Sequence, residues 1–250
     1  MTLLYQIKEP VVDVCRTPSG PRDRQLLLGD TFEVLNQKDG WSYGRSIKSG
    51  YPGYVYKESL ELLEIKTHWI CTLSSHAYIE PDLKSADCLF LPFGAQVQVL
   101  SEGTDFFQTK HGFIPYQHLR TMDNLLQDPV EVALSFLGTP YLWGGDSSRG
   151  IDCSGLIQAA CAACGQVCPG DSGAQQAFFQ TPAGPVGRGQ LLFWKGHVAI
   201  TLNSEDLVHA NAQTMTVCLE SIESAIARIL NSGGGSVTHH ARLQSTKRVA

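Results

Sequence analysis

GGDSSRGIDCSGLIQAACAAC, residues 144–164, is the stretch from which the fold is read. A Gly-rich loop ends at Asp152-Cys153-Ser154, and a helical pattern follows. Leu156, Ile157, Ala160, Cys161 and Cys164 recur at helical spacing, which turns one apolar face inward. Asp152 is a good N-cap residue, so Cys153 is expected in the first turn. There, unpaired backbone N–H groups and the positive end of the helix dipole favour thiolate over thiol, below the reference pKa of about 8.5. The same position also suits a small buried cysteine that only packs. Cys161, Cys164 and Cys168 have no second ligand pair at matching spacing, so they read as core rather than as a zinc site.

A cysteine nucleophile needs a base within hydrogen-bond reach, and the base needs an orienting group. Downstream of residue 189 the pattern becomes β: QLLFW, HVAITL, DLVHAN and MTVCLE alternate between Gly, Asn, Ser and Asp breaks. His197 and His209 lie in two of these runs. Their separation suits neighbouring strands of a hairpin with both rings on one face. Each histidine alone reads rather as a satisfied strand residue. Together, behind a capped cysteine, they read as base (His197) and orienter (His209). SIESAIARIL (221–230) is amphipathic, and VTHHARL reads as a final edge strand. Before the cysteine helix, VEVALSFLG (130–138) is helical and Gly138 stops it. CPGDSGAQQAFFQ (168–180) opens on turn residues and becomes a short helix. Helices followed by an antiparallel sheet make this half α+β.

The first half carries an internal repeat. LLLGDTFEVL (26–35) matches LPFGAQVQVL (91–100), and GYVYKESL (53–60) matches GFIPYQHL (112–119). Units of about sixty residues with short strands between turn residues describe two small β-barrels. The expected domains are a barrel over 1–64, a second over 65–124, and the α+β domain over 125–250.

The formal net charge is −5, and no basic cluster appears, the tail Thr246–Ala250 being too short to count. Nucleic acid is therefore not expected as a partner. No run of about 18 apolar residues exists, so no membrane span is expected. The first residues lack an apolar signal segment, and the eight cysteines are read as reduced thiols. Together these point to the cytoplasm.

YLWGG(x)SSxGIDCSGLIQ, then FWKGHVAI and LVHANA, resembles the NlpC-type cell-wall cysteine peptidases, which have a papain-like fold. The repeated units resemble bacterial SH3-like domains. Within the family the chain is most similar to γ-D-glutamyl-L-diamino acid endopeptidases of the dipeptidyl-peptidase VI type. That resemblance implies catalytic Cys153, His197 and His209, and no metal or cofactor. It implies a murein tripeptide or tetrapeptide substrate, L-Ala-γ-D-Glu-diamino acid, with an unblocked L-Ala. Asp152 is the implied carboxylate for the α-amine, though it reads equally as a helix cap alone. Ser154, Ser172 and Asp171 join the implied substrate-binding set. Tyr141 and Trp143 are implied pocket aromatics, or else core beneath the helix. From the first barrel, Tyr51 and Asp23 are the implied residues that close the pocket end. One departure stands out: the family's Arg-Gly-Asp-Leu turn is Arg188-Gly189-Gln190-Leu191 here. An amide still accepts a turn hydrogen bond, so a structural adjustment is expected rather than lost activity. The Cys153 backbone N–H is the expected oxyanion donor. An amidase or acyltransferase on the same scaffold, or a silent peptide-binding protein, are the alternatives.

Overall fold

The repeated segments of the first half fold alike in a computed structural model that describes residues 3–243. The tail Thr246–Ala250 lies outside the described residues. Gly29 and Gly94, the glycines shared by the repeat, each take φ of +84°, a left-handed turn that a side chain disfavours. The second shared motif ends each time in one 3₁₀ turn, Lys57–Ser59 and then Tyr116–His118.

The first copy contributes β1 (Leu3–Ile7), β2 (Val11–Cys15), β3 (Arg22–Leu27), β4 (Thr31–Lys38), β5 (Trp41–Ser46), β6 (Pro52–Tyr56) and β7 (Leu60–Leu62). They form one sheet in the order β3-β2-β6-β5-β4-β1-β7. Alternation in β5 and β6 turns every second residue inward, around a core of Ile7, Val12, Val14, Leu26, Phe32, Val34 and Val55. The second copy contributes β8 (His68–Ile70), β9 (Ser74–Tyr78), β10 (Asp87–Pro92), β11 (Gln96–Val97), β12 (Val99–Glu102), β13 (Phe106–Thr109), β14 (Gly112–Pro115) and β15 (Leu119–Thr121). These pair as β10-β9-β14-β13-β12 and β11-β8-β15.

The two copies are not separate bodies. Leu28, from the first, packs into the core of the second with Ile70, Leu91 and Val97. The Gln96 N–H donates to the Leu28 carbonyl at 2.8 Å, and a Cβ on Gly29 would stand 2.5 Å from the Gln96 carbonyl oxygen. The chain divides into two compact units, with both copies in the first. The first takes the chain up to Leu125 together with Asp146–Ser148; the second takes Leu126–Gly145 and the chain from Arg149 onward.

Residues 146 and 147 form the short strand β16 (Asp146–Ser147). In the first unit, Lys48 Nζ bridges Asp30 Oδ2 at 3.1 Å and Asp146 Oδ2 at 2.8 Å. Both carboxylates are almost wholly buried. Burial by itself disfavours the charged ammonium, but the two carboxylates beside it outweigh that and hold Lys48 charged.

The second unit begins with α1 (Pro129–Ser135). Asp128 caps it by accepting from the Val130 N–H at 2.8 Å, and Pro129 occupies the first helical position. It ends three residues before Gly138, which turns at φ +82°. Next come β17 (Gly150–Ile151), α2 (Cys153–Ala163) and α3 (Ser172–Phe178). The sheet follows: β18 (Gln190–Trp194), β19 (His197–Thr201), β20 (Asp206–Asn211), β21 (Thr216–Ser221) and, after α4 (Ile222–Asn231), β22 (His239–Arg242). Its antiparallel order is β21-β20-β19-β18-β22. α2 packs against β19 and β20, and α4 sets Ala225 and Ile229 on Leu192, Trp194, Ala199 and Leu207. With helices on the sheet, β18 is buried at all five positions, which explains its apolar run from Leu191 to Trp194.

Gln190, the first residue of β18, makes the turn hydrogen bond expected of its amide. Its Oε1 accepts from the Gly187 N–H at 3.1 Å and its Nε2 donates to the Pro185 carbonyl at 3.1 Å. Among the described residues, no helix is long and apolar enough to cross a membrane.

Candidate active site

α2 starts where the sequence predicts. Asp152 is its N-cap, with the Gly155 N–H donating to Oδ1 at 2.7 Å. The Ser154 hydroxyl donates to the same oxygen at 3.0 Å, and the Gly144 N–H donates to Oδ2 at 3.0 Å. Both carboxylate oxygens therefore hold the loop and the helix start in register. Gly155 is required here: a Cβ would stand 2.4 Å from the Gly145 carbonyl oxygen. Cys153 is the first residue of the helix, buried and not in a disulfide. The helix is enclosed on more than the one apolar face that its pattern suggests. Gln158 is buried as well, its Nε2 donating to the Cys168 carbonyl at 3.1 Å.

His197 opens β19 immediately after the turn Lys195-Gly196, where Gly196 takes φ +77°. β19 and β20 pair with Ile200 opposite Val208. Carrying this register on sets His209 opposite Ala199, two residues from His197 and on its face. The rings meet there: His197 Nε2 lies 2.9 Å from His209 Nδ1. Trp194, opposite His197 in the β18–β19 hairpin, lays its ring 5.7 Å from that imidazole, centroid to centroid.

His209 is fully buried, and three residues that the sequence did not single out surround it. Glu220 on β21 places Oε2 at 3.1 Å from His209 Nε2. Arg228 on α4 grips that carboxylate with two bonds, Nε to Oε1 at 2.9 Å and Nη2 to Oε2 at 2.7 Å. Asn211 brings Nδ2 to 2.9 Å from the same ring nitrogen. The signals were faint. Asn211 shares a strand face with His209 at a spacing of two, and Glu220 lies two residues beyond Cys218, which stands opposite His209. Burial, then the neighbouring imidazole and Arg228, push the His197 pKa well below its ordinary value. Burial likewise lowers that of His209, against the opposing pull of Glu220. Both rings are thus held neutral near pH 7.

The other sequence-predicted residues fall into two groups. In the second unit, Asp171 caps α3 by accepting from the Ala174 N–H at 2.8 Å, with Ser172 the first residue of that helix. Gln175 in α3 ties it to α2, its Nε2 donating to the Ser154 carbonyl at 2.9 Å. Tyr141 is half-buried, its N–H donating to the Met215 carbonyl at 2.9 Å. Trp143 is 65% exposed, so it is not core beneath the helix. In the first unit, Asp23 is clamped by Arg16, Nη2 to Oδ1 at 2.8 Å and Nε to Oδ2 at 3.0 Å. Tyr51 is half-buried there, with the Arg24 guanidinium 5.8 Å from its ring centroid.

Comparison with known proteins agrees with this architecture. Residues 138–229 match the NlpC/P60 family, and residues 14–60 match the bacterial dipeptidyl-peptidase SH3 domain. Dipeptidyl-peptidase 6 of Lysinibacillus sphaericus is 36% identical over 99 residues, which cover 39% of this chain and 36% of that protein. The match thus spans little more than a third of that relative's length. Gamma-D-glutamyl-L-lysine dipeptidyl-peptidase of Bacillus subtilis (strain 168) is 26% identical over 211 residues, 74% of this chain and 71% of that one. Among solved structures, an NlpC/P60 family protein from Bacillus cereus ATCC 10987 superposes with a TM-score of 0.80 at 19% identity, covering 97% of this chain and 100% of that chain. At that identity the likeness speaks for the fold. The chain therefore joins a bacterial dipeptidyl-peptidase SH3 domain to an NlpC/P60 domain of papain-like fold.

Proposed function

We propose that the protein is a cysteine peptidase that hydrolyses the γ-D-glutamyl–diamino acid bond of short cell-wall peptides with an unblocked N-terminal L-Ala. One observation carries the reading. Half-buried His197 and fully buried His209 form an imidazole pair, 2.9 Å apart, on the two strands packed against the helix that begins with Cys153. The relatives named dipeptidyl-peptidase support the substrate class. In the proposed reaction His197 takes the thiol proton and the Cys153 thiolate attacks the γ-glutamyl carbonyl carbon. The Cys153 backbone N–H, at the start of α2, stabilises the oxyanion. His197 then returns the proton to the leaving amine of the diamino acid as the C–N bond breaks, leaving a thioester. Water, deprotonated by His197, hydrolyses the thioester and restores the thiol. Asp152, adjacent to the nucleophile, is the proposed carboxylate for the substrate's α-ammonium.

The test compares L-Ala-γ-D-Glu-diaminopimelate with its N-acetylated form, wild type against Cys153→Ala, by mass spectrometry of the products. Cleavage of the free-amine peptide by wild type, and none by the variant, is expected. Equal cleavage of both peptides refutes the amine requirement; turnover by Cys153→Ala refutes the nucleophile.

A further inference from the structure

The buried group around His209 contains a conflict over one proton. A neutral imidazole carries hydrogen on one nitrogen only. His209 Nε2 has Glu220 Oε2 at 3.1 Å on one side and Asn211 Nδ2 at 2.9 Å on the other. An ionised carboxylate only accepts and an amide NH2 only donates, so Nε2 satisfies one of them at a time. The Asn211 amide is not turned the other way, because its Oδ1 already accepts from three donors. These are the Gln213 N–H at 3.0 Å, the Thr214 N–H at 2.9 Å and the Thr214 hydroxyl at 3.1 Å.

The two choices differ at His197. With hydrogen on His209 Nε2, Glu220 accepts it, and Asn211 Nδ2 is still satisfied by the Cys218 sulfur at 3.2 Å. His209 Nδ1 is then an acceptor, His197 Nε2–H donates to it, and His197 Nδ1 is left basic. With hydrogen on His209 Nδ1 instead, that nitrogen donates to His197 Nε2. A neutral His197 must then carry its proton on Nδ1 and has no base to offer. Only the first arrangement also accommodates an imidazolium, which donates from both nitrogens.

We propose that Glu220 is a positioning residue, its carboxylate fixing His209 as the Nε2–H tautomer so that His197 presents a basic Nδ1. The proposal rests on the cysteine–histidine reading above. Arg228 maintains the device: its two bonds keep Glu220 ionised, below the usual carboxylate range. The charged and titratable groups facing Glu220 are His209 on β20 and Arg228 on α4, with Cys218 beside it on its own strand. Removing Arg228 would free the Glu220 carboxylate to turn away from His209 Nε2, and the tautomer preference would weaken. The arrangement also sets a carboxylate behind the histidine pair when the thiolate–imidazolium pair forms.

The test uses the full chain with ring-¹⁵N histidine, without substrate. Long-range ¹H–¹⁵N spectra at pH 7, assigned with a His209→Gln variant, report which nitrogen of His209 is protonated. The expected wild-type result is Nε2–H. In Glu220→Gln the Nδ1–H form becomes populated. The rate of Cys153 alkylation by iodoacetamide near pH 7 then falls about tenfold or more, with its pH profile displaced. A wild-type Nδ1–H tautomer overturns the proposal, as does a Glu220→Gln protein with unchanged tautomer and alkylation profile. The wild-type spectrum decides even if the variant fails to fold. None of these readouts needs a peptide. Failure to cleave the proposed substrate with the tautomer as expected would therefore refute the substrate reading alone.

Discussion

Asp152→Asn separates the two tasks assigned to Asp152. Asparagine is as good an N-cap as aspartate, so the bonds from the Gly155 N–H at 2.7 Å and the Ser154 hydroxyl at 3.0 Å survive on its oxygen. The amide nitrogen then replaces Oδ2 and faces the Gly144 N–H, which in the wild type donates to Oδ2 at 3.0 Å. A donor facing a donor in a buried site costs about 1–3 kcal/mol. Asp152→Ala removes all three bonds: the cap, at about 1 kcal/mol, and the Gly144 and Ser154 partners at about 1–3 kcal/mol each, for a total of about 3–7 kcal/mol. Urea denaturation with an unchanged m-value measures both. If Asp152 also pairs with the substrate ammonium, Asp152→Asn loses a charged hydrogen bond of about 1.5–3 kcal/mol. The preference for the free-amine peptide over its N-acetylated form then drops about 10- to 100-fold. Stability within about 0.5 kcal/mol of wild type would refute the Oδ2 bond to Gly144. An unchanged preference would refute the ammonium role and leave Asp152 as a cap.

Two further outcomes are expected. Lys48→Met leaves Asp30 and Asp146, 2% and 4% exposed, without the ammonium between them, and should cost about 3–5 kcal/mol at pH 7. The deficit should shrink as the pH falls and the carboxylates take up protons; a pH-independent loss under about 1 kcal/mol would mean the bridge behaves like a surface pair. The lowered pKa values of His197 and His209 set the second. Below pH about 6.5 the unfolded chain binds protons that the folded chain refuses, so their contribution is complete above that pH and is lost as the pH falls toward the folded values. Denaturation midpoints from pH 7 to pH 4 should decline in wild type, and less steeply in His197→Gln. Parallel slopes would contradict the burial argument.

The local devices were legible from the chain itself. The cap at Asp152, the helix after it, the hairpin that brings His197 beside His209, and the repeat built around Gly29 and Gly94 were each readable from residues a few positions apart. Tertiary structure alone decided the rest. Nothing local marks Glu220 and Arg228 as neighbours of His209, because they arrive on the next strand and the following helix. Nothing local marks Leu28, in the first copy, as part of the second copy's core. Lys48 meets Asp146 across 98 positions, and residues 146–148, read as part of the catalytic half, belong with the first unit. The physical reason is common to all three. Short-range geometry limits what a segment can become. Which buried residue finds which partner depends instead on where chain closure brings distant segments together, and a buried ion there must be compensated.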